Sequence, residues 1–257
     1  MDKDLFYGLG RLSALADLTL GKMKSVVLLF LAKHFVQSIN TNGQNLSIVD
    51  VLEPEAYDKN PKDIHKLVMY IKSVNNIVAK KEPFNSKLIQ SFVKSLGLTI
   101  EVEYKNDFDG LLESIKKLQD SIPSQVYYLL LTGLVNLYFV CNGYIKYPII
   151  DFVKDASRDA IIEAVANSNG IILQTKKLIK EDRNKLHDYT KSVPIFFDYV
   201  VNNPVFDIGM SIDETGLSFA TSSKVVSILE GKGILEKISG NLRYRIYKYT
   251  RMLNIFS

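Results

Sequence analysis

Cysteine is almost missing from this chain: Cys141 is the only one in 257 residues, which excludes an internal disulfide framework and any zinc site built from several thiolates. Histidine is nearly as scarce, with His34, His65 and His187 far apart in sequence. The opening "MDKDLFYGLG" lacks the basic-then-apolar pattern of a secretory leader, so a reducing, cytoplasmic setting is expected. No P-loop, dinucleotide fingerprint, internal repeat or low-complexity tract occurs. What is present is globular composition, with 47% hydrophobic and 23% charged residues, which argues against global disorder. The formal charge of +4 favours anionic partners only weakly, and its placement matters more than its sum.

One run tests the membrane question. From Val126 to Ile145, "VYYLLLTGLVNLYFVCNGYI", twenty residues carry no charge, which meets the length of a spanning helix. Thr132, Asn136 and Asn142 interrupt it, and no basic residue flanks its N-terminal side, so it reads as the buried central helix of an α domain. Helical spacing prevails up to about residue 190. Leu5, Leu9, Leu12, Leu15 and Ala16 mark a first helix, and Lys24 to Asn40 a second. Ser47 caps the short "IVDVL" turn, and Pro61 opens a helix with a core face of Ile64, Leu67, Val68, Ile71, Val74 and Ile77. Asn85 introduces a helix that Gly97 stops, and a further amphipathic segment runs from Asp107 to Asp120. "TIEVEY" (Thr99 to Tyr104) alternates with period two and predicts a strand. Pro148 is expected to break the apolar helix, and Ile149 to Asn167 and Ile171 to Tyr189 to form two more.

The pattern changes near residue 191, where a domain boundary is expected. Helix, helix, helix and hairpin follow within about sixty residues, the sequence plan of a winged helix. Ser218 or Thr221 caps a helix whose inner face holds Val225, Ile228 and Leu229. Ser222, Ser223 and Lys224 sit at its N-terminal end, where a helix-turn-helix meets base edges. "ILEKI" and "RYRIYKY" alternate around the turn residues "SGNL". From Lys232 onward six basic residues face one acid, Glu236, and Lys237, Arg243, Arg245 and Lys248 form a strip suited to phosphates.

The segment "NPVFDIGMSIDETGLSFATSSKVVSILEGKGILEKISGNLRYRIYKYTRMLNIF" resembles the winged-helix tail of many bacterial Fic proteins. "GRLSALADL", "AKHFVQSINTNGQNLSIVDVLEPEA" and "PKDIHKLVMYIKSVNNIV" are similar, in the same order, to that family's opening segments. The resemblance implies a helical catalytic domain bearing H-x-F-x-(D/E)-G-N-G-R-x-x-R, with a histidine base, a magnesium-holding acid and a phosphate loop. The matching region here, "LTGLVNLYFVCNGYIKYP", has no histidine, acid or arginine between Ile122 and Lys146, and "CNGY" is at most a relic of the loop. The family's inhibitory S-x-x-x-E-(G/N) helix corresponds to Ser38, Asn42 and Gly43, with Asn42 in place of the glutamate.

These readings converge on a mainly α protein: a degenerate Fic-like domain over 1–190 and a small α+β winged-helix domain over 191–257. No catalytic residue, cofactor or metal ligand is expected. His34 reads as a core histidine, and neither His65 with Asp63 and Asp58 nor His187 with Asp188 completes a metal site. The expected function is transcriptional regulation by a DNA-binding homodimer. An adaptor or antitoxin-like partner of an active Fic enzyme is the alternative, followed by transfer of AMP from ATP to a protein hydroxyl.

Overall fold

A computed structural model describes residues 3–20, 24–53, 61–238 and 245–257. In order, the helical part contains α1 (Lys3–Leu20), α2 (Lys24–Asn40), α3 (Ile48–Leu52), α4 (Pro61–Lys80), α5 (Ser86–Ser95), α6 (Phe108–Lys116), α7 (Ser124–Cys141) and α8 (Arg158–Asn184). It continues with α9 (Ser192–Asn202), β1 (Val205–Asp207), α10 (Ile208–Thr215), α11 (Phe219–Gly231), β2 (Glu236–Lys237), β3 (Ile246–Lys248) and α12 (Thr250–Leu253).

Local signals set most helix starts. Asn85, Asp107 and Ser218 each accept a hydrogen bond from an amide of the turn they cap, and Ser47 with Asp50 forms a reciprocal capping box. Along α1, Leu5, Leu9, Leu12 and Ala16 form a buried stripe packed along α8. On α4 the stripe differs from the expectation: Tyr70 is buried beside Leu67 and Val74, whereas Val68 lies on the outer side.

The apolar α7 is long and apolar enough to cross a membrane, yet most of it is buried within the fold. Its small residues explain how. A Cβ at Gly133 would overlap the ring of Phe92 from α5, so only glycine permits that approach. Its polar residues have equally specific tasks, because Ile149–Val153 passes through the core without regular secondary structure rather than as the expected helix. Buried backbone groups need partners, and here side chains supply them. Asn136 Nδ2 donates to the Ile150 carbonyl (3.1 Å) while its Oδ1 accepts from the Ile150 amide (2.9 Å). Thr132 Oγ1 accepts from the Val153 amide (3.1 Å), and Ser168 Oγ of α8 accepts from that of Asp151 (2.7 Å).

Asn136→Leu therefore strands the Ile150 amide in a dry core. We expect it to lower unfolding free energy by roughly 2–4 kcal/mol, the cost of lost bonds plus an orphaned donor. Urea denaturation measures this directly, and a loss below about 1 kcal/mol would contradict the assigned role.

Helix α8 begins only after this segment, at its cap Ser157, and runs unbroken through Gly170, so the two expected helices are one. Thr99–Tyr104 forms neither strand nor helix. The Gln90 side-chain amide, oriented to satisfy both of its polar atoms, donates to the Ile100 carbonyl (3.3 Å) and accepts from the Val102 amide (3.0 Å). It takes the place of a neighbouring strand.

The C-terminal elements build an antiparallel three-stranded sheet in the order β1-β3-β2, with Phe206 opposite Tyr247 and Glu236 opposite Lys248. The boundary expected near residue 191 does not separate two cores. Phe256 packs edge-on against Phe30 of α2 (ring centroids 5.3 Å apart), and Ser25 Oγ donates to the Val201 carbonyl (2.6 Å). Buried Asp182 of α8 accepts a hydrogen bond from Tyr249 Oη (2.7 Å) and pairs with Arg251. One continuous apolar cluster spans both parts.

Candidate nucleic-acid interface

Helices α10 and α11 meet at a sharp turn that Gly216 makes in the left-handed region (φ 68°). Ser218 caps α11 by accepting from the Thr221 amide (3.2 Å), and its hydroxyl also meets that of Thr221 (3.0 Å). Ser218, not Thr221, is the cap. The inner face of α11 consists of Ser222, Val225, Val226 and Leu229, all buried, while Ile228 is only half-buried. Ser222 therefore corrects an expectation: it points into the protein and cannot meet a duplex. Its phase foretold this, because residue 222 lies three, four and seven positions before Val225, Val226 and Leu229.

The outer face of α11 carries Ser218, Phe219, Lys224 and Ser227, with Ser223 half-buried beside them. Ser227 Oγ turns back to the Ser223 carbonyl (3.2 Å). In the hairpin, strand alternation and the Lys237–Tyr247 register put Lys237 and Arg245 on one face, both exposed. Lys248 lies on the other face, where it pairs with Glu236 across the ladder (3.4 Å). This too departs from the expected strip, because Lys248 lies on the opposite face of the hairpin from Lys237 and Arg245. Arg243 falls outside the described residues. The acids Asp213 and Glu214 are exposed on α10, where Glu214 accepts from Asn203 Nδ2 (3.3 Å).

The positions tied to the inhibitory motif lie elsewhere. Ser38 is buried, its hydroxyl donating to the Phe35 carbonyl (2.7 Å), and Gly43 turns the chain with φ 78°. Asn42 joins the end of α2 to the start of α7, donating to Gln125 Oε1 (3.1 Å) and accepting from Ser124 Oγ (2.5 Å). The "CNGY" turn follows the opposite end of α7, roughly 27 Å along the helix axis. Asn42 and the "CNGY" turn therefore lie at opposite ends of α7.

Nor do the remaining reactive groups assemble. His65 and His187 are exposed on separate elements, the second bonded to the Asn184 carbonyl (2.8 Å). Burial, with Glu82 adding to it, pushes the Cys141 thiol up to about 11, so it stays protonated at neutral pH and is a poor nucleophile. Among the described residues no cluster of histidine, cysteine and acidic side chains could hold a metal ion.

Sequence reasoning missed one pair. Lys33 and Asp151 are both buried and meet at 3.1 Å on the wall of a hollow of about 410 Å³ between α2 and α8. The available signal was a lysine within the apolar run "LFLAKHFV" of α2. No protein-family model matches the chain, and no curated protein matches it.

Proposed function

We propose that the C-terminal elements form a winged helix that binds DNA, and that the helical part is a non-catalytic platform pairing two copies of the chain. The observation carrying this reading is the sheet order β1-β3-β2 behind α10 and α11, with α11 presenting short hydroxyl side chains and Lys224 to solvent. Arg245 and Lys237 add exposed cations on one face of the hairpin. Pairing two half-sites would compensate for so small a set of cations through effective concentration. The resemblance to Fic proteins supports only a degenerate version of that fold, because the histidine, acid and arginine needed for phosphoryl chemistry are missing between Ile122 and Lys146, where the motif would fall.

Fluorescence anisotropy with labelled duplex DNA across a salt series tests the reading. Binding by the unaltered chain should weaken linearly with log salt. Lys224→Ala/Arg245→Ala should flatten that slope by about 2, close to one unit per phosphate contact. Lys248→Ala should leave it nearly unchanged, since that side chain lies on the opposite face from Lys237 and Arg245. Binding absent at low salt would overturn the DNA reading.

A second reading, docking of a protein, has its own observation: Phe219 at the head of α11 is 59% exposed and Met210 on α10 is 49% exposed. Phe219→Ala should spare DNA affinity if the first reading holds and weaken a protein complex if the second does.

A further inference from the structure

A cavity of about 420 Å³ opens between the C-terminal half of α2, α4, the end of α5 and the start of α7. Its volume lies in the range of small-molecule sites. Phe35, Ile39 and Leu129 supply an apolar interior. The two serines in the wall are already occupied, Ser38 with the Phe35 carbonyl (2.7 Å) and Ser95 with the Phe92 carbonyl (2.7 Å). Gln125, also in the wall, accepts from Asn42 Nδ2 (3.1 Å), and His65 is exposed at the rim, so the interior offers a guest surface to cover but few free polar partners.

The mouth is different. Lys66 and Lys94 both line it and both are exposed, and the wall contains no acidic residue. Lys66 is within 3.7 Å of Asp63, one turn earlier on α4, a solvent-exposed pair that leaves most of its charge available. An apolar interior beneath two cations suits a hydrocarbon tail inside with an anionic head at the entrance. From this geometry we infer that the cavity binds a medium-chain carboxylate, that is, a fatty acid or a molecule ending in one. The inference is independent of DNA binding by the C-terminal elements.

The test uses the full chain with sodium octanoate and sodium decanoate, and with decan-1-ol and decyltrimethylammonium as head-group controls, all below micelle formation. Thermal unfolding of the unaltered chain should shift upward, saturably, with decanoate. Decanoate should bind roughly fifteenfold tighter than octanoate, since each buried methylene is worth about fourfold. The alcohol should bind more weakly than the carboxylate, and the quaternary ammonium should not bind.

The chain has no tryptophan, so Met69→Trp, at a position on the cavity wall that is 38% exposed, gives a single emission reporter of occupancy. In that background Lys66→Glu/Lys94→Glu should weaken decanoate about tenfold and leave decan-1-ol unchanged, which a merely structural effect of the lysines would not do. The absence of a saturable shift in the unaltered chain, or equal binding of all three head groups, would overturn the inference.

Discussion

Asp182→Ala is expected to lower the stability of the chain by about 2–4 kcal/mol, the cost of lost charge-assisted hydrogen bonds and of a buried hydroxyl left without its acceptor. Asp182 is fully buried, yet it serves three donors: Tyr249 Oη at 2.7 Å, Lys185 Nζ at 2.5 Å and Arg251 Nη1. These partners are unequal. Lys185 is largely exposed, and its own removal should cost under about 1 kcal/mol. Tyr249 is fully buried, and burial and then the bond to Asp182 hold its phenol above the ordinary range. Without Asp182 that hydroxyl has lost its acceptor, and Arg251 keeps only Glu181, at 3.4 Å.

Asp182→Asn preserves an acceptor for Tyr249 and should recover part of the loss, whereas Tyr249→Phe should cost roughly 1–2 kcal/mol alone. Because the apolar cluster is continuous across the two parts, loss of this contact should lower the urea midpoint of one transition without changing its slope. A loss below about 1 kcal/mol for Asp182→Ala, or a separate early transition of the C-terminal elements, would show that the carboxylate does not tie the tail to the rest of the fold.

The second large effect is a dependence on pH. Burial, aided by neighbouring Lys33, lowers the His34 imidazole from 6.5 to about 3, against the opposing effect of its bond to the Ile150 carbonyl. The tautomer follows from the partners. Nε2 lies 2.8 Å from the Ile150 carbonyl, which only accepts, so Nε2 carries the hydrogen and Nδ1 accepts from Tyr70 Oη at 3.2 Å.

Since the folded value lies below the ordinary one, the unfolded chain takes up the proton first. The stability supplied by neutral His34 is whole above pH 6.5 and is lost as the pH falls toward 3. In that window the loss approaches about 1.4 kcal/mol per unit, so roughly 2 kcal/mol should disappear between pH 6.5 and 5. Urea midpoints measured at pH 7, 6 and 5 should fall accordingly. His34→Gln, less stable at pH 7, should give a nearly flat profile, and a parallel fall in both proteins would assign the effect to other groups.

The sequence disclosed helix starts well because a cap is a local event: Ser47, Asn85 and Asp107 act on amides within three residues. It disclosed the helices of the C-terminal elements and their hairpin, but not β1, whose three residues become a strand only by pairing with distant β3. The failures share one cause. Thr99–Tyr104 has strand periodicity but no partner strand, and Ile149–Val153, expected to open a helix, is held outside one by Asn136, Thr132 and Ser168. In each case contacts distant in sequence decide the outcome. Within the candidate interface, the outward positions Ser218 and Lys224 were legible from helix phase, and Ser222 could have been excluded by the same rule. Pairing of Lys248 with Glu236 depends on strand register and was not legible from spacing alone.

The irregular Ile149–Val153 segment also has a consequence for isotope labelling. Irregular backbone ordinarily exchanges its amide hydrogens quickly, because it frays without disturbing anything else. Here the amides of Ile150, Asp151 and Val153 are secured by side chains of α7 and α8, and they open only when those helices separate. In deuterated buffer these three should be among the slowest amides of the chain, exchanging with the centre of α7, so a stretch with no regular secondary structure would report the global stability of the fold.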